Sequence, residues 1–162
     1  EGRDPFYSLY HEGWHQYFDF YIPNSPRWFD EGFAEVISPL IIKGSRAKMN
    51  TFNAGRSNVL KHYLRRGRII PRSQLIRLNH QQFYRPDVVG LAYAQSWSFV
   101  HFLINFKHPK PSIQRKVRAF YKDYFWELHK GTDPVEACDI VFKDVQFNTL
   151  EKAWLEAIRR QR

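Results

Sequence analysis

Hydrophobic residues recur along most of the chain at three- and four-residue spacing, which places side chains on one face of a helix. The strict alternation of apolar and polar positions that is typical of strands is nearly absent. The pattern therefore predicts a mainly α protein. The expected helices span 5–20, 26–37, 47–66, 88–106, 112–129, 133–142 and 149–160. Between the third and fourth helices, residues 68–85 predict a loop with one short helix at most.

Two helix starts carry the same signal, a short polar residue followed by proline. Asp4-Pro5 predicts the start of the first helix, and Ser25-Pro26 predicts the start of the second. A short polar side chain caps free backbone N–H groups, and the fixed φ of proline suits the first helical turn. Gly67 predicts the end of the third helix, because glycine readily adopts the left-handed conformation of a C-terminal cap.

The composition is that of one folded domain. The 162 residues are 43% hydrophobic and 17% aromatic, which is enough apolar surface for a core. No apolar run approaches the roughly 18 residues that a membrane span needs. We interpret residues 1–162 as a single domain. Since the chain begins at Glu1 rather than Met, we expect it to be part of a longer protein or the product of processing.

Cysteine content and charge narrow the possible chemistry. The single cysteine, Cys138, excludes an internal disulfide framework and a cysteine-based zinc finger, so a metal would need His, Asp or Glu ligands. The 25 Lys and Arg residues against 16 Asp and Glu give a net charge of +9, which is compatible with nucleic-acid binding. No zinc-finger, RNP or zipper signature accompanies this charge, and we predict no nucleic-acid partner.

The motif His11-Glu12-x-x-His15 lies inside the first predicted helix. Histidines four residues apart share one helical face, so both imidazoles can bind one ion. Zinc accepts such nitrogen ligands, and a catalytic zinc site keeps one position for water. Glu12 follows the first histidine and is placed to accept a proton from that water instead of binding the metal.

A second pair at helical spacing, Glu31 and Glu35, lies in the second predicted helix. Two histidines leave zinc short of protein ligands, and the fifteen residues between His15 and Glu31 are enough to bring a second helix alongside the first. Trp28 and Phe33 indicate that this helix is packed. Acidic groups in such a helix are costly to bury unless a cation meets them, so this pair is expected to contribute a metal ligand.

Together, the motif and the segment from Trp28 to Glu35 (Trp-x-x-Glu-Gly-x-Ala-Glu) resemble the gluzincin metallopeptidases. These form the MA-like clan that includes thermolysin and the aminopeptidase N family, and the pattern is most similar to uncharacterised bacterial MA-like peptidase domains. The resemblance implies one zinc ion per domain, with Glu31 as the third ligand. It also implies that Glu35 hydrogen-bonds a ligand histidine, His11.

The same resemblance carries expectations about architecture. It implies a helical zincin subdomain in which the motif helix packs against the helix that bears the glutamates, followed by further helices. Relatives place a β-sheet before the motif helix, and we expect that sheet to be missing from a chain that begins at Glu1. The resemblance also favours a secreted or cell-envelope location.

Tyr93 opens a segment, 93–100, that resembles the aminopeptidase segment whose tyrosine donates a hydrogen bond to the tetrahedral intermediate. The resemblance implies a catalytic role for Tyr93, although an aromatic residue on an apolar helix is also a typical core residue. Two features depart from the family. The interval between the motif and Glu31 is shorter, and Asp30 stands where aminopeptidases usually carry Asn, which leaves its hydrogen bonding undetermined.

The leading hypothesis is zinc-dependent hydrolysis of peptide bonds in a peptide or protein substrate. In it, His11, His15 and Glu31 bind zinc, and Glu12 is the general base. The alternative is a basic, zinc-containing binding module without catalysis, in which a fourth protein ligand would close the site. A third possibility, nucleic-acid binding through the basic surface, predicts an affinity that falls steeply with salt.

Overall fold

Helices and one small hairpin make up the computed structural model, which describes residues 5–49, 52–143 and 147–160. Within those ranges the protein is mainly α, as the hydrophobic pattern predicts. The helices are α1 (Pro5–Tyr21), α2 (Arg27–Ile37), α3 (Ala54–Arg65), α4 (Arg72–Leu75), α5 (His80–Phe83), α6 (Val89–Asn105), α7 (Pro111–His129), α8 (Pro134–Phe142) and α9 (Phe147–Arg160). The antiparallel strands are β1 (Leu40–Lys43) and β2 (Arg46–Met49).

The predicted third helix is wrong over its first residues. Residues 46–49 form β2, which pairs with β1. The chain can reverse between the strands because Gly44 adopts a left-handed conformation with φ of 59°. The helix itself begins at Ala54, where the side chain of Asn53 caps it by accepting a hydrogen bond from the Arg56 backbone N–H at 3.0 Å.

Other helix bounds differ by smaller amounts. Pro26 is the residue before α2 and makes no side-chain cap, so Ser25 does not have the capping role predicted for it. The predicted cap Asp4 lies outside the described residues. The stretch expected to hold one short helix at most contains two, α4 and α5. Gly67 follows α3 with φ of 65°, as expected for a helix stop.

Helix α6 is the centre of the packing. It is apolar around most of its circumference and buried along most of its length, and α2, α3, α7 and α9 pack on it. Gln95 on α6 also holds the chain after α3, because its amide exchanges two hydrogen bonds of 2.8 Å with the backbone of Ile70. None of the helices in the described ranges has both the length and the apolar character that a membrane crossing demands.

Helices α2 and α6 approach each other closely at Gly32. A Cβ atom at this position would lie 2.7 Å from Cγ2 of Val100 and 2.8 Å from the backbone oxygen of Ser96. Real Cβ atoms essentially never approach other atoms so closely, so only glycine allows this spacing. Glu31 is the residue before Gly32 on α2, so the position of Glu31 depends on this contact.

We expect Gly32→Ala to lower the free energy of unfolding by about 1–3 kcal/mol, because the added methyl group forces the two helices apart. Gly13→Ala on α1 is the matched control, since nothing lies within 4 Å of its Cβ position. That change should stabilise the protein by up to about 1 kcal/mol through helix propensity. Thermal unfolding of both variants checks the expectation. Equal melting temperatures for Gly32→Ala and the wild type would contradict the close approach of α2 and α6.

Candidate metal centre

Helices α1 and α2 bring the three predicted metal ligands together. Donor atoms of His11, His15 and Glu31 all lie within 4.8 Å of one another. Oε2 of Glu31 is 3.5 Å from Nε2 of His11 and 3.5 Å from Nε2 of His15. Tetrahedral ligands at zinc distances of about 2.0–2.1 Å lie roughly 3.3–3.4 Å apart. Two of the three distances between donor atoms are close to this value, so the three residues could hold one ion of that size.

Ser38, just after α2, determines which nitrogen of His11 is free. The Ser38 hydroxyl donates to the backbone oxygen of Ala34 at 2.6 Å, so its own oxygen is left to accept a hydrogen bond. Nδ1 of His11 lies 3.2 Å from that oxygen and must be the donor. The lone pair of His11 is therefore on Nε2, the nitrogen that faces Glu31.

Asp30 has the corresponding role for His15. Its Oδ1 lies 2.8 Å from Nδ1 of His15, and its Oδ2 accepts a hydrogen bond from Arg27 at 3.2 Å. The hydrogen bond to Asp30 and the carboxylate of Glu31, 3.5 Å from Nε2, raise the pKa of His15 to about 10, against the opposing effect of burial. This pKa favours the imidazolium form of His15 at neutral pH, between two carboxylates, and a metal ion bound to its Nε2 would displace the proton.

The two oxygens of Glu31 have different environments. Oε1 accepts a hydrogen bond from the hydroxyl of Tyr84. Oε2 is buried and makes no hydrogen bond of normal geometry, although both imidazoles lie 3.5 Å away. Burial alone would raise the pKa of Glu31, but the imidazoles and the nearby tyrosine hydroxyls outweigh it and hold the pKa well below its usual range. A buried anionic oxygen without a hydrogen bond is costly, and a cation would satisfy it.

Glu35 does not hold His11, contrary to the expectation from the family resemblance. Its Oε2 accepts hydrogen bonds from Tyr7 at 2.7 Å and from Asn53 at 2.8 Å. Its Oε1 pairs with the guanidinium of Arg56 at 2.5 Å. The carboxylate thus faces the start of α3, and Ser38 takes the place beside His11 that Glu35 was predicted to fill.

The other two predicted site residues, Glu12 and Tyr93, line a polar cavity of about 230 Å³ that His11 also lines. The guanidinium of Arg56 lies over the Tyr93 ring, 4.6 Å from its centre. Burial and the charge of Glu31 raise the pKa of the Tyr93 hydroxyl, which is therefore a hydrogen-bond donor at neutral pH. All of the residues that line the cavity carry polar groups, and two of them are tyrosines. They are Tyr7, Ser8, His11, Glu12, Glu35, Arg56 and Tyr93.

Sequence reasoning missed three residues around the centre. Asp30 had a usable signal, since it is a third acidic residue in the packed helix that carries Glu31 and Glu35. Burying its charge is as costly as burying that of Glu31 or Glu35. Ser38 and Tyr84 had none. Tyr84 is one of nine tyrosines and lies 53 residues from the carboxylate that it contacts.

Zinc binding should release the proton of His15. Its pKa of about 10 lies above neutral pH, so we expect the apparent zinc affinity to rise as the pH increases from 7 to 9 and to level off above 10. Asp30→Asn removes the charged partner that contributes most to this pKa and should reduce the number of protons released at pH 8. Calorimetric titration in buffers of different ionisation enthalpy counts these protons. The same count in both proteins would show that Asp30 does not keep His15 protonated.

Comparison of the chain with protein-family models, with curated proteins and with solved structures found no match. Its function therefore has to be inferred from the chemistry of the residues themselves. That chemistry consists of two imidazoles with oriented Nε2 atoms, a buried carboxylate oxygen between them, and a polar cavity beside them.

Proposed function

We propose that this chain is a zinc-dependent peptide hydrolase of the gluzincin type. The observation that carries the proposal is the buried Oε2 of Glu31, which lacks a hydrogen bond and faces Nε2 of both His11 and His15. A metal ion bound to this oxygen and to both Nε2 atoms would replace the 3.5 Å ion pair with His15. The arrangement of α1 against α2 agrees with the zincin subdomain that the motif resemblance implies.

The zinc ligands would be His11, His15 and Glu31. When bound, zinc would act as a Lewis acid that polarises a carbonyl group and lowers the pKa of its bound water toward about 7. Each of these residues is already oriented by a partner: Ser38 for His11, Asp30 for His15 and Tyr84 for Glu31. Such partners fix the direction of the donor atoms, so little reorganisation is needed when the ion binds.

Three protein ligands favour hydrolysis over a purely structural site. Structural zinc sites are closed by a fourth protein ligand, whereas hydrolytic sites keep that position for water. Among the described residues, the group that can hold a metal has three members, and the polar cavity begins beside it. A substrate carbonyl could enter from this cavity, which already presents a carboxylate and a hydroxyl group.

Glu12 is the proposed general base. Its side chain is exposed and lines the cavity next to His11. It can therefore reach water in the cavity without itself being a metal ligand. It would accept a proton from the attacking water and return it to the nitrogen of the departing amine. Hydrolysis needs both transfers, and a carboxylate beside the cavity can perform each in turn.

Tyr93 is the proposed donor to the carbonyl oxygen. That oxygen gains negative charge only as the tetrahedral intermediate forms, so a phenol placed there stabilises the transition state more than the bound substrate. Tyr93 lines the same cavity as Glu12, and the guanidinium of Arg56 lies over its ring. Its raised pKa keeps the hydroxyl protonated at neutral pH.

Glu12→Gln should leave zinc binding unchanged and reduce peptide hydrolysis by about 10²–10⁴-fold, because it removes the base and keeps the shape of the side chain. Glu136→Gln on α8 is the matched control, since it makes the same change at an exposed glutamate of a different helix. Turnover of a fluorogenic peptide library and elemental analysis of zinc measure the two effects. Equal losses of activity in both variants, or none in either, would reject Glu12 as the base. Stoichiometric zinc without hydrolysis in the wild type would support a binding module.

Tyr93→Phe should reduce kcat on the order of 10²–10³-fold with a much smaller change in KM, because the lost hydrogen bond forms fully only in the transition state. The ring remains, so zinc occupancy and fold should be retained. A tyrosine that only packs in the core would instead shift stability by about 1 kcal/mol and leave turnover nearly intact. Measuring kcat and melting temperature on the same protein separates these roles, and normal turnover would remove Tyr93 from the reaction.

A further inference from the structure

We propose that Tyr84 is a positioning residue that restricts Glu31 to binding zinc through one oxygen, an inference that rests on the proposed function. Its hydroxyl donates a hydrogen bond to Oε1 of Glu31. Oε2 is then the oxygen better placed for the ion, since it makes no hydrogen bond and lies 3.5 Å from Nε2 of each histidine. The two oxygens of one carboxylate are thus divided between a protein donor and the metal.

The Tyr84 hydroxyl is held in place by the short helix α5. Asn79 and Gln82 form a reciprocal capping box that stabilises this single helical turn, and Tyr84 is the residue that ends it. Phe83 anchors the turn in the core, and the ring of Tyr84 packs on His80 with 4.6 Å between ring centres. The phenol therefore has a supporting structure that a loosely attached surface side chain would lack.

Tyr84 and Tyr93 have different surroundings despite their shared neighbour Glu31. Burial and the hydrogen bond to Glu31 raise the pKa of Tyr84 to about 12, so it donates at neutral pH as Tyr93 does. Tyr93 lines the cavity that contains Glu12, whereas the residues that line this cavity do not include Tyr84. Tyr93 can therefore meet a substrate, while Tyr84 acts through the carboxylate.

One-oxygen binding by Glu31 has a chemical consequence. Two imidazoles and one carboxylate oxygen make three protein ligands, which leaves the fourth tetrahedral position for water. If both oxygens bound the ion, the carboxylate would take an additional position and compete with water. By occupying Oε1, Tyr84 keeps the number of protein donor atoms at three.

Replacing zinc by Co²⁺ tests the inference without any activity assay. The visible absorption of Co²⁺ is intense for four ligands and weakens as the coordination number rises. We expect Tyr84→Phe to weaken this absorption and to lower zinc affinity by about 10–100-fold, measured by competition with a chelator. Tyr121→Phe removes a hydroxyl from a half-buried tyrosine on α7, whose ring contacts Phe33, and it should match the wild type in both measurements.

A Co²⁺ spectrum of Tyr84→Phe identical to that of the wild type would overturn the inference, even if affinity fell. Should Tyr84→Phe fail to fold, X-ray absorption of the zinc-loaded wild type provides an independent measurement. It is expected to show four light-atom ligands, and five or more would overturn the proposal. His15→Ala separates this result from the wider proposal. Wild-type zinc affinity in His15→Ala would reject the zinc centre itself, whereas its loss leaves the role of Tyr84 to be decided by the spectra.

Discussion

The burial of three carboxylates on one helix is the constraint on which the rest of the structure depends. Asp30, Glu31 and Glu35 are each less than 5% exposed, although α2 is packed among aromatic side chains. Uncompensated, each charge would destabilise the fold, so every one requires its own partners. The partners come from four parts of the chain: Arg27 and His15 for Asp30, Tyr84 and the two imidazoles for Glu31, and Tyr7, Asn53 and Arg56 for Glu35.

The opposite side of α2 explains how such a polar helix is kept inside the protein. Trp28 and Phe29 pack on Tyr124 of α7, and Trp28 also packs on Phe99 of α6. Gly32 lets the backbone of α2 approach α6 until side-chain and backbone atoms touch. Apolar burial on this side stabilises the position of α2, while α1, α3 and α5 supply donors to its acidic side.

Under the proposed function, protons and a metal ion would compete for the same site. Without an ion, Glu31 remains an anion because His15 is a cation, and their opposite pKa shifts express one interaction. With an ion, the imidazolium proton is no longer needed to balance the buried charges. The geometry suits both states, because Asp30 and Ser38 hold the imidazoles by Nδ1 and leave Nε2 directed at Glu31. Under the proposed function, an ion would therefore meet imidazoles that are already oriented.

The family resemblance singled out Glu31, which only the packing of α1 against α2 brings close to the two histidines. Local spacing in the sequence determined the helical class, most helix bounds and the shared face of His11 and His15, because residues four apart must share a helical face wherever the helix lies. It could not determine β2, whose residues are ordinary helix formers that pair with β1 after the turn at Gly44. It also misassigned Glu35 and gave no sign of Tyr84. Both assignments depend on which distant segment lies against a buried carboxylate. The packing of α3 and α5 around α2 decides this, over sequence separations that no local pattern encodes.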